Sequence, residues 1–132
     1  MYRVGLGLEY RIYVDSSTNG EMRWYNETTG EFRKHRMSAD RPLHEAEHLA
    51  VVRAIKDNIA KISSGDKIEI CCDRETVVSQ LNHKAGIKED SVRKLADTIW
   101  SIEYKSKLEK NVEVKIVWVS RKNNPAGKML GV

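Results

Sequence analysis

The sequence predicts an α/β fold: a mixed five-stranded sheet, made of a three-strand antiparallel meander plus two parallel strands, with helices on both faces. Three observations carry this. Glu9 to Asp15 alternates polar and apolar residues, with Tyr10, Ile12 and Val14 on one side, which is the period of a half-buried strand. From Leu43 to Ile62 the period changes, and Ala46, Leu49, Ala50, Val52, Ile55, Ile59 and Ile62 recur at helical spacing. After that helix, strand-like and helix-like runs alternate, and such alternation requires parallel crossovers.

The elements follow in order. The first strand ends at Asp15, before a Ser-Ser-Thr-Asn-Gly turn. Glu21 to Asn26 and Glu31 to Met37, separated by Glu27-Thr28-Thr29-Gly30, read as a hairpin that completes the meander. The Leu43 to Ile62 helix stops at Ser63-Ser64-Gly65-Asp66. Lys67 to Cys72 is a second strand ending in a carboxylate, Asp73, which is placed to cap a short helix over Glu75 to Asn82. A longer helix runs from Asp90 to Glu109, with Val92, Leu95, Ala96, Ile99 and Ile102 at helical spacing. Val112 to Val119 reads as a last, buried strand, followed by a polar loop, Ser120 to Asn124, and a tail from Pro125.

Composition sets the limits. In 132 residues, 40% are hydrophobic and 32% charged, with 2 Pro and 8 Gly, so disorder and a collagen-like chain are excluded and one domain over 1–132 is expected. No apolar run approaches the roughly 18 residues of a membrane helix, and Met1 to Leu8 lacks the apolar stretch of a secretory signal, which leaves the cytoplasm as the expected address, with no membrane contact. Cys71 and Cys72 are adjacent in a strand and point to opposite faces, which suits two reduced packing thiols. The net charge of +4 and pI of about 9.1 permit nucleic acid as a partner without requiring it, because acids and bases are interspersed. Trp24, Trp100 and Trp118 read as packing residues.

The chemistry lies in the acids. Asp15 and Asp73 each close a strand, and Glu47 sits in the first turn of the helix between them. In open sheets, chemistry gathers beyond the carboxyl ends of parallel strands. If the two strands are neighbours, three carboxylates converge, each close pair repelling by about 1 to 4 kcal/mol, and a hard cation such as Mg²⁺ relieves that repulsion. Two such ions about 4 Å apart would activate a water and stabilise the leaving oxygen of a phosphodiester, with no protein nucleophile. Two plainer readings stand beside this: strand-end Asp residues are common turn formers and caps, and a Glu in a first helical turn answers the helix dipole. A third is zinc. His44-Glu45-Ala46-Glu47-His48 satisfies the His-Glu-x-x-His spacing, with Glu45 as the would-be base, although no third ligand segment is evident.

Four segments resemble ribonuclease HI and the related domains of retroelement polymerases: Ile-Tyr-Val-Asp-Ser-Ser at 12–17, Ala-Glu-His-Leu-Ala-Val-Val-Arg-Ala-Ile at 46–55, Cys-Asp-Arg-Glu-Thr-Val-Val-Ser-Gln-Leu-Asn at 72–82, and Val-Trp-Val-Ser-Arg-Lys-Asn-Asn-Pro-Ala-Gly at 117–127. The resemblance spans Glu9 to Gly127 and is closest to the compact members without a basic insertion between the middle helices. It implies a ribonuclease H-like fold and endonucleolytic cutting of the RNA strand of an RNA/DNA hybrid, using two Mg²⁺ or Mn²⁺ ions; a monomer with no protein partner is the expected state. Asp15, Glu47 and Asp73 become the metal ligands, and Ser16, Ser17, His44, Glu75, Arg121 and Lys122 the candidate substrate contacts. Hybrid recognition of this kind reads phosphates and 2′-hydroxyls, largely without regard to sequence.

The chain also departs from the family. The family pattern Asn-x-x-Ala-Asp ends in a fourth metal-site carboxylate, and here Asn123-Asn124-Pro125-Ala126-Gly127 puts Gly127 in its place. Asn123 or Asn124 could supply an amide oxygen or a water-mediated contact instead. Ser16 stands where Gly is usual, Leu43 and His44 where Asn is favoured, Glu75 where Gln is common, and the chain stops at Val132, short of the helix that often follows. The missing carboxylate motivates an alternative: a nucleic-acid-binding module that keeps the fold with weak or lost catalysis.

Overall fold

The computed structural model describes residues 7–17, 19–37 and 42–129, with the backbone alone for Leu43, His44 and Met129. Five strands, β1 (Glu9–Ser16), β2 (Glu21–Asn26), β3 (Phe32–Arg36), β4 (Lys67–Cys72) and β5 (Glu113–Trp118), form one sheet of order β3-β2-β1-β4-β5. The β1/β2 and β2/β3 pairs are antiparallel, and β1/β4 and β4/β5 are parallel, so the meander-plus-parallel-pair architecture expected from the sequence is the one formed. Val14 pairs with Cys72, which sets the carboxyl ends of β1 and β4 level and brings Asp15 and Asp73 to the same edge of the sheet.

The helices are α1 (Leu43–Ile59), α2 (Glu75–Leu81), α3 (Asp90–Lys110) and α4 (Pro125–Met129). The first three cover one face, where Ile12, Val14, Ile68, Ile70 and Cys72 meet Val51, Ile55, Val77, Leu81 and Ile99 in one continuous core. Each fully buried aliphatic side chain there contributes about 1.5 to 3 kcal/mol relative to exposure. On the other face Tyr13 and Cys71 pack against Ala126 of α4. Helices thus lie on both faces, because the alternation along β1 and β4 leaves apolar side chains on both sides.

Several local details differ from the sequence expectation. The first helix ends at Ile59 rather than Ile62, although Ile62 still reaches the core. Asp73 does not cap α2; Arg74 takes that position without a side-chain cap hydrogen bond, because the Asp73 carboxylate is engaged elsewhere. The tail from Pro125 forms α4, and Arg121–Asn123 forms a 3₁₀ turn in place of an irregular loop. The last strand is an edge strand and not a buried one, and Trp118 at its end is 51% exposed. Trp24 is buried and donates from Nε1 to Asp57 Oδ2 at 2.8 Å; Trp100 is half-buried, donates to the Leu81 carbonyl at 2.9 Å and stacks on His83. Both cysteines are free thiols and buried. Met1 to Leu6 lie outside the described residues, and among those described no helix is long and apolar enough to cross a membrane.

Candidate metal centre

Asp15, Glu47 and Asp73 converge. One carboxylate oxygen from each lies within 4.8 Å of the others, and they are the one group of three metal-capable side chains among the described residues. The sequence explains the geometry. Adjacent parallel strands deliver Asp15 and Asp73 from their ends, and α1, packed on the sheet through Val51 and Ile55, projects Glu47 from its first turns onto the same spot.

The cluster is buried: Asp15 is 2% exposed, Glu47 0%, and Asp73 is half-buried. Removal from water and mutual repulsion favour the neutral acids. Burial, then the Asp73 charge, pushes the Asp15 carboxyl up to about 6, against the Ser16 backbone N–H, Arg121 and Arg74. Burial, then the Asp15 charge, pushes Glu47 up to about 7, opposed by the Ser16 hydroxyl and Arg74. One oxygen of Asp73, Oδ1, is buried without a hydrogen-bond partner. A buried acceptor with no donor, beside two acids whose ionised forms burial and repulsion disfavour, suits a hard cation that would supply the missing positive charge.

The neighbouring side chains have distinct jobs. Ser16 Oγ donates to Glu47 Oε1 at 2.8 Å, so Ser16 orients one carboxylate of the cluster, with its hydroxyl turned inward. The Cys72 thiol lies 3.9 Å from Glu47 Oε2. Asn124 is fully buried; its Nδ2 donates to Asp73 Oδ2 at 3.1 Å and to the Val14 carbonyl at 2.9 Å, while its Oδ1 accepts from the Ala126 N–H at 3.1 Å. Its amide oxygen thus accepts one hydrogen bond from α4, and its amide nitrogen braces Asp73. Asn123 is exposed on the 3₁₀ turn.

Of the candidate substrate contacts, Ser17 is half-buried and its hydroxyl bonds to Asn19 within the turn. Glu75, at the start of α2, is exposed, as are Arg121 and Lys122. Arg121 is close enough to lower the Asp15 carboxyl, whereas the His44 side chain lies outside the described residues. Arg74 is a neighbour of the cluster that the sequence reading missed: its Nε stands 3.7 Å from Glu47 Oε1, and it lines a cleft of about 370 Å³ with Thr76, Gln80, Ile87 and Lys88. Its place directly after a strand-end Asp was the available signal. Among the described residues the three grouped ligands are all carboxylates and His48 is buried outside that group, while the His44 side chain that the zinc reading also needs lies outside the described residues.

Gly127 also lies at the centre. A Cβ built on it would fall 2.7 Å from Asp15 Oδ2, which places position 127 against the cluster, as the resemblance implies for the fourth carboxylate. Gly127→Asp is expected to lower the melting temperature of the metal-free protein at pH 8 by roughly 5 °C, through crowding and a fourth like charge. It should also enlarge the upward shift on adding Mg²⁺. Gly127→Ala should show the crowding without the larger shift. Equal Mg²⁺ shifts in the parent and Gly127→Asp, read by differential scanning fluorimetry, would count against this placement.

A sheet of this order, with helices on both faces and carboxylates at the ends of its first and fourth strands, is the ribonuclease H fold. Solved structures similar to it include ribonuclease H1 of the halophilic archaeon Halobacterium salinarum (17% identity, 92% of this chain and 93% of that one, TM-score 0.75). The N-terminal ribonuclease H domain of Rv2228c from Mycobacterium tuberculosis is also similar (16% identity, 94% and 91%, TM-score 0.72), as is LC11 ribonuclease H1, from a compost metagenome, solved with an RNA/DNA hybrid (20% identity, 92% and 92%, TM-score 0.74). The chain belongs to the reverse transcriptase-like family, whose model matches residues 24–130. No curated protein matches it.

Proposed function

We propose that this protein is a divalent-metal-dependent ribonuclease that cuts the RNA strand of RNA/DNA hybrids. The observation that carries this reading is the convergence of Asp15, Glu47 and Asp73 within 4.8 Å of one another, largely buried, at the carboxyl ends of parallel strands. Two divalent cations, Mg²⁺ or Mn²⁺, would supply Lewis-acid polarisation of the phosphodiester and a more acidic attacking water. The chain's own residues do the rest. Asp15, Glu47 and Asp73 hold the ions, Ser16 fixes the Glu47 carboxylate, and Asn124 fixes that of Asp73. Arg74 and Arg121, the cations whose charge reaches the cluster, are placed to meet substrate phosphate. Recognition through phosphates and 2′-hydroxyls would make cutting selective for the hybrid and tolerant of its sequence.

The experiment is cleavage of an end-labelled RNA/DNA hybrid, beside matched RNA and DNA duplexes, with Mg²⁺ or Mn²⁺. The parent chain is expected to cut only the hybrid's RNA strand and Asp73→Asn to lose that activity. Absence of hybrid cleavage with both metals, or cleavage indifferent to Asp73→Asn, would sink the reading. A second reading is favoured by one feature, the bare Cα of Gly127 against Asp15 where a fourth carboxylate would stand. It describes a module that binds the hybrid without turnover, and it is the outcome if the parent chain binds the hybrid and leaves it intact.

A further inference from the structure

On the sheet face opposite α1 to α3, Asp15 is followed across the strands by Arg23 and then Lys34, because Asp15 pairs with Arg23 and Arg23 with Lys34. Directly paired residues of antiparallel strands share a face. With strands about 4.8 Å apart, the row extends about 10 Å outward from the catalytic carboxylate. Arg36, paired with Glu21, lies on the same face one step nearer the sheet edge that carries the cluster.

Arg23 is 3% exposed, and its Nε and Nη2 are buried without a hydrogen-bond partner. The nearest carboxylate oxygen, Glu21 Oε1, stands 3.5 Å from Nη2, and the same oxygen stands 3.8 Å from Lys34 Nζ. One oxygen thus sits between two cations, beyond hydrogen-bonding distance of either. Burial without adequate pairing lowers the Arg23 pKa from its ordinary value, and Glu21 only partly offsets this. Arg36 is exposed, with no ion pair among the described residues. Cations on an edge strand discourage sheet-to-sheet pairing, but that task needs no buried arginine. A buried guanidinium short of acceptors is stabilised by an anion with several strong acceptor oxygens, which phosphate has and a single carboxylate oxygen does not supply.

We propose that Arg23, Lys34 and Arg36 form a phosphate-contact subsite flanking the carboxylate cluster, with Glu21 as the resident anion that a nucleic-acid backbone phosphate displaces. This rests on the ribonuclease reading and adds to it the path of the substrate backbone away from the cluster. Contacts of this kind fix register and carry no sequence information.

The test is binding of a fluorescently labelled RNA/DNA hybrid to the full chain, followed by anisotropy in divalent-free buffer from about 50 to about 200 mM salt. Lys34→Ala is expected to weaken binding and to reduce the slope of log affinity against log salt by about 1, and the Lys34→Ala/Arg36→Ala pair by about 2. Glu21→Gln is expected to tighten binding, because it removes the competing anion. Unchanged melting temperatures, expected for the exposed β3 positions, separate these effects from misfolding. An unchanged slope in the double variant, or weaker binding by Glu21→Gln, overturns the subsite. If the parent chain shows this slope pattern but never cuts the hybrid, the ribonuclease reading fails and the subsite stands. If it cuts the hybrid and the double variant keeps the parent slope, the subsite alone fails, and a parent that binds no hybrid overturns both.

Discussion

Glu47→Gln is expected to reduce hybrid cleavage by about a thousandfold, the scale of several kcal/mol of lost metal-assisted stabilisation, while raising the melting temperature of the metal-free protein at pH 8. The two effects have one cause. Glu47 is fully buried, with Asp15 and Asp73 beside it and its carboxyl pushed up to about 7, so at pH 8 the metal-free fold carries an ionised group that its surroundings disfavour. Glutamine keeps the shape and keeps an acceptor for the Ser16 hydroxyl, but removes the charge. The cost falls on Arg74, whose buried Nε loses a carboxylate at 3.7 Å, beyond hydrogen-bonding distance; the side chain as a whole is 39% exposed, so solvent screens the lost attraction. At pH 5 Glu47 is protonated in the parent and the difference in melting temperature should vanish. Circular-dichroism melts in chelator at pH 5 and pH 8 read this directly. A lower melting temperature for Glu47→Gln at pH 8 would mark Glu47 as part of the scaffold instead of a ligand awaiting its ion.

The stability of the metal-free protein is expected to fall as pH rises from about 5 to about 8, and divalent metal to reverse the fall. Asp15 and Glu47 are raised to about 6 and about 7, above ordinary carboxylate values, so between those values the folded chain binds more protons than the unfolded one. Stability then decreases with pH across that window, is highest below the unfolded carboxylate values, and levels off once both groups have ionised in the fold. A cation must displace the same protons, so its apparent affinity should rise with pH, by about tenfold per unit for each proton released. Calorimetric titration with Mg²⁺ or Mn²⁺ at pH 6, in buffers of different ionisation enthalpy, counts those protons. Affinity independent of pH, with no proton release, would show that the metal binds elsewhere. Glu103, also pushed up to about 7 by burial, adds to the pH dependence of the metal-free protein from the opposite end of β5. Glu103→Gln removes its share without touching metal affinity.

The fold was legible where the physics is periodic. Alternation located β1 and β4, helical spacing located α1 and α3, and the Ser63 to Asp66 punctuation marks a turn in which the buried Asp66 carboxylate accepts from the Ser63 and Leu8 N–H groups. Alternation could not say that β5 is an edge strand, because the pattern along one strand does not count its neighbours, and Trp118 was misread for that reason. The five residues of α4, with Pro125 and Gly127 among them, are too few to show a period. The three acids of the site were legible because each closes or opens an element. The inward turn of Ser16, the reach of Arg74 to Glu47 and the use of Asn124 as a brace depend on side-chain directions that arise only when distant elements meet.

Asn124 also fixes when the site comes into being. Its amide joins Val14, 110 positions earlier, and Asp73, 51 positions earlier, so the brace closes only after β1, β4 and α4 have met. Contacts of such long range repay their loop-closure cost only once the intervening elements are in place. The candidate metal centre is accordingly expected to close late in folding. Ions that recognise only the finished carboxylates are then expected to lengthen the lifetime of the native chain by slowing unfolding, and to leave the rate of folding unchanged.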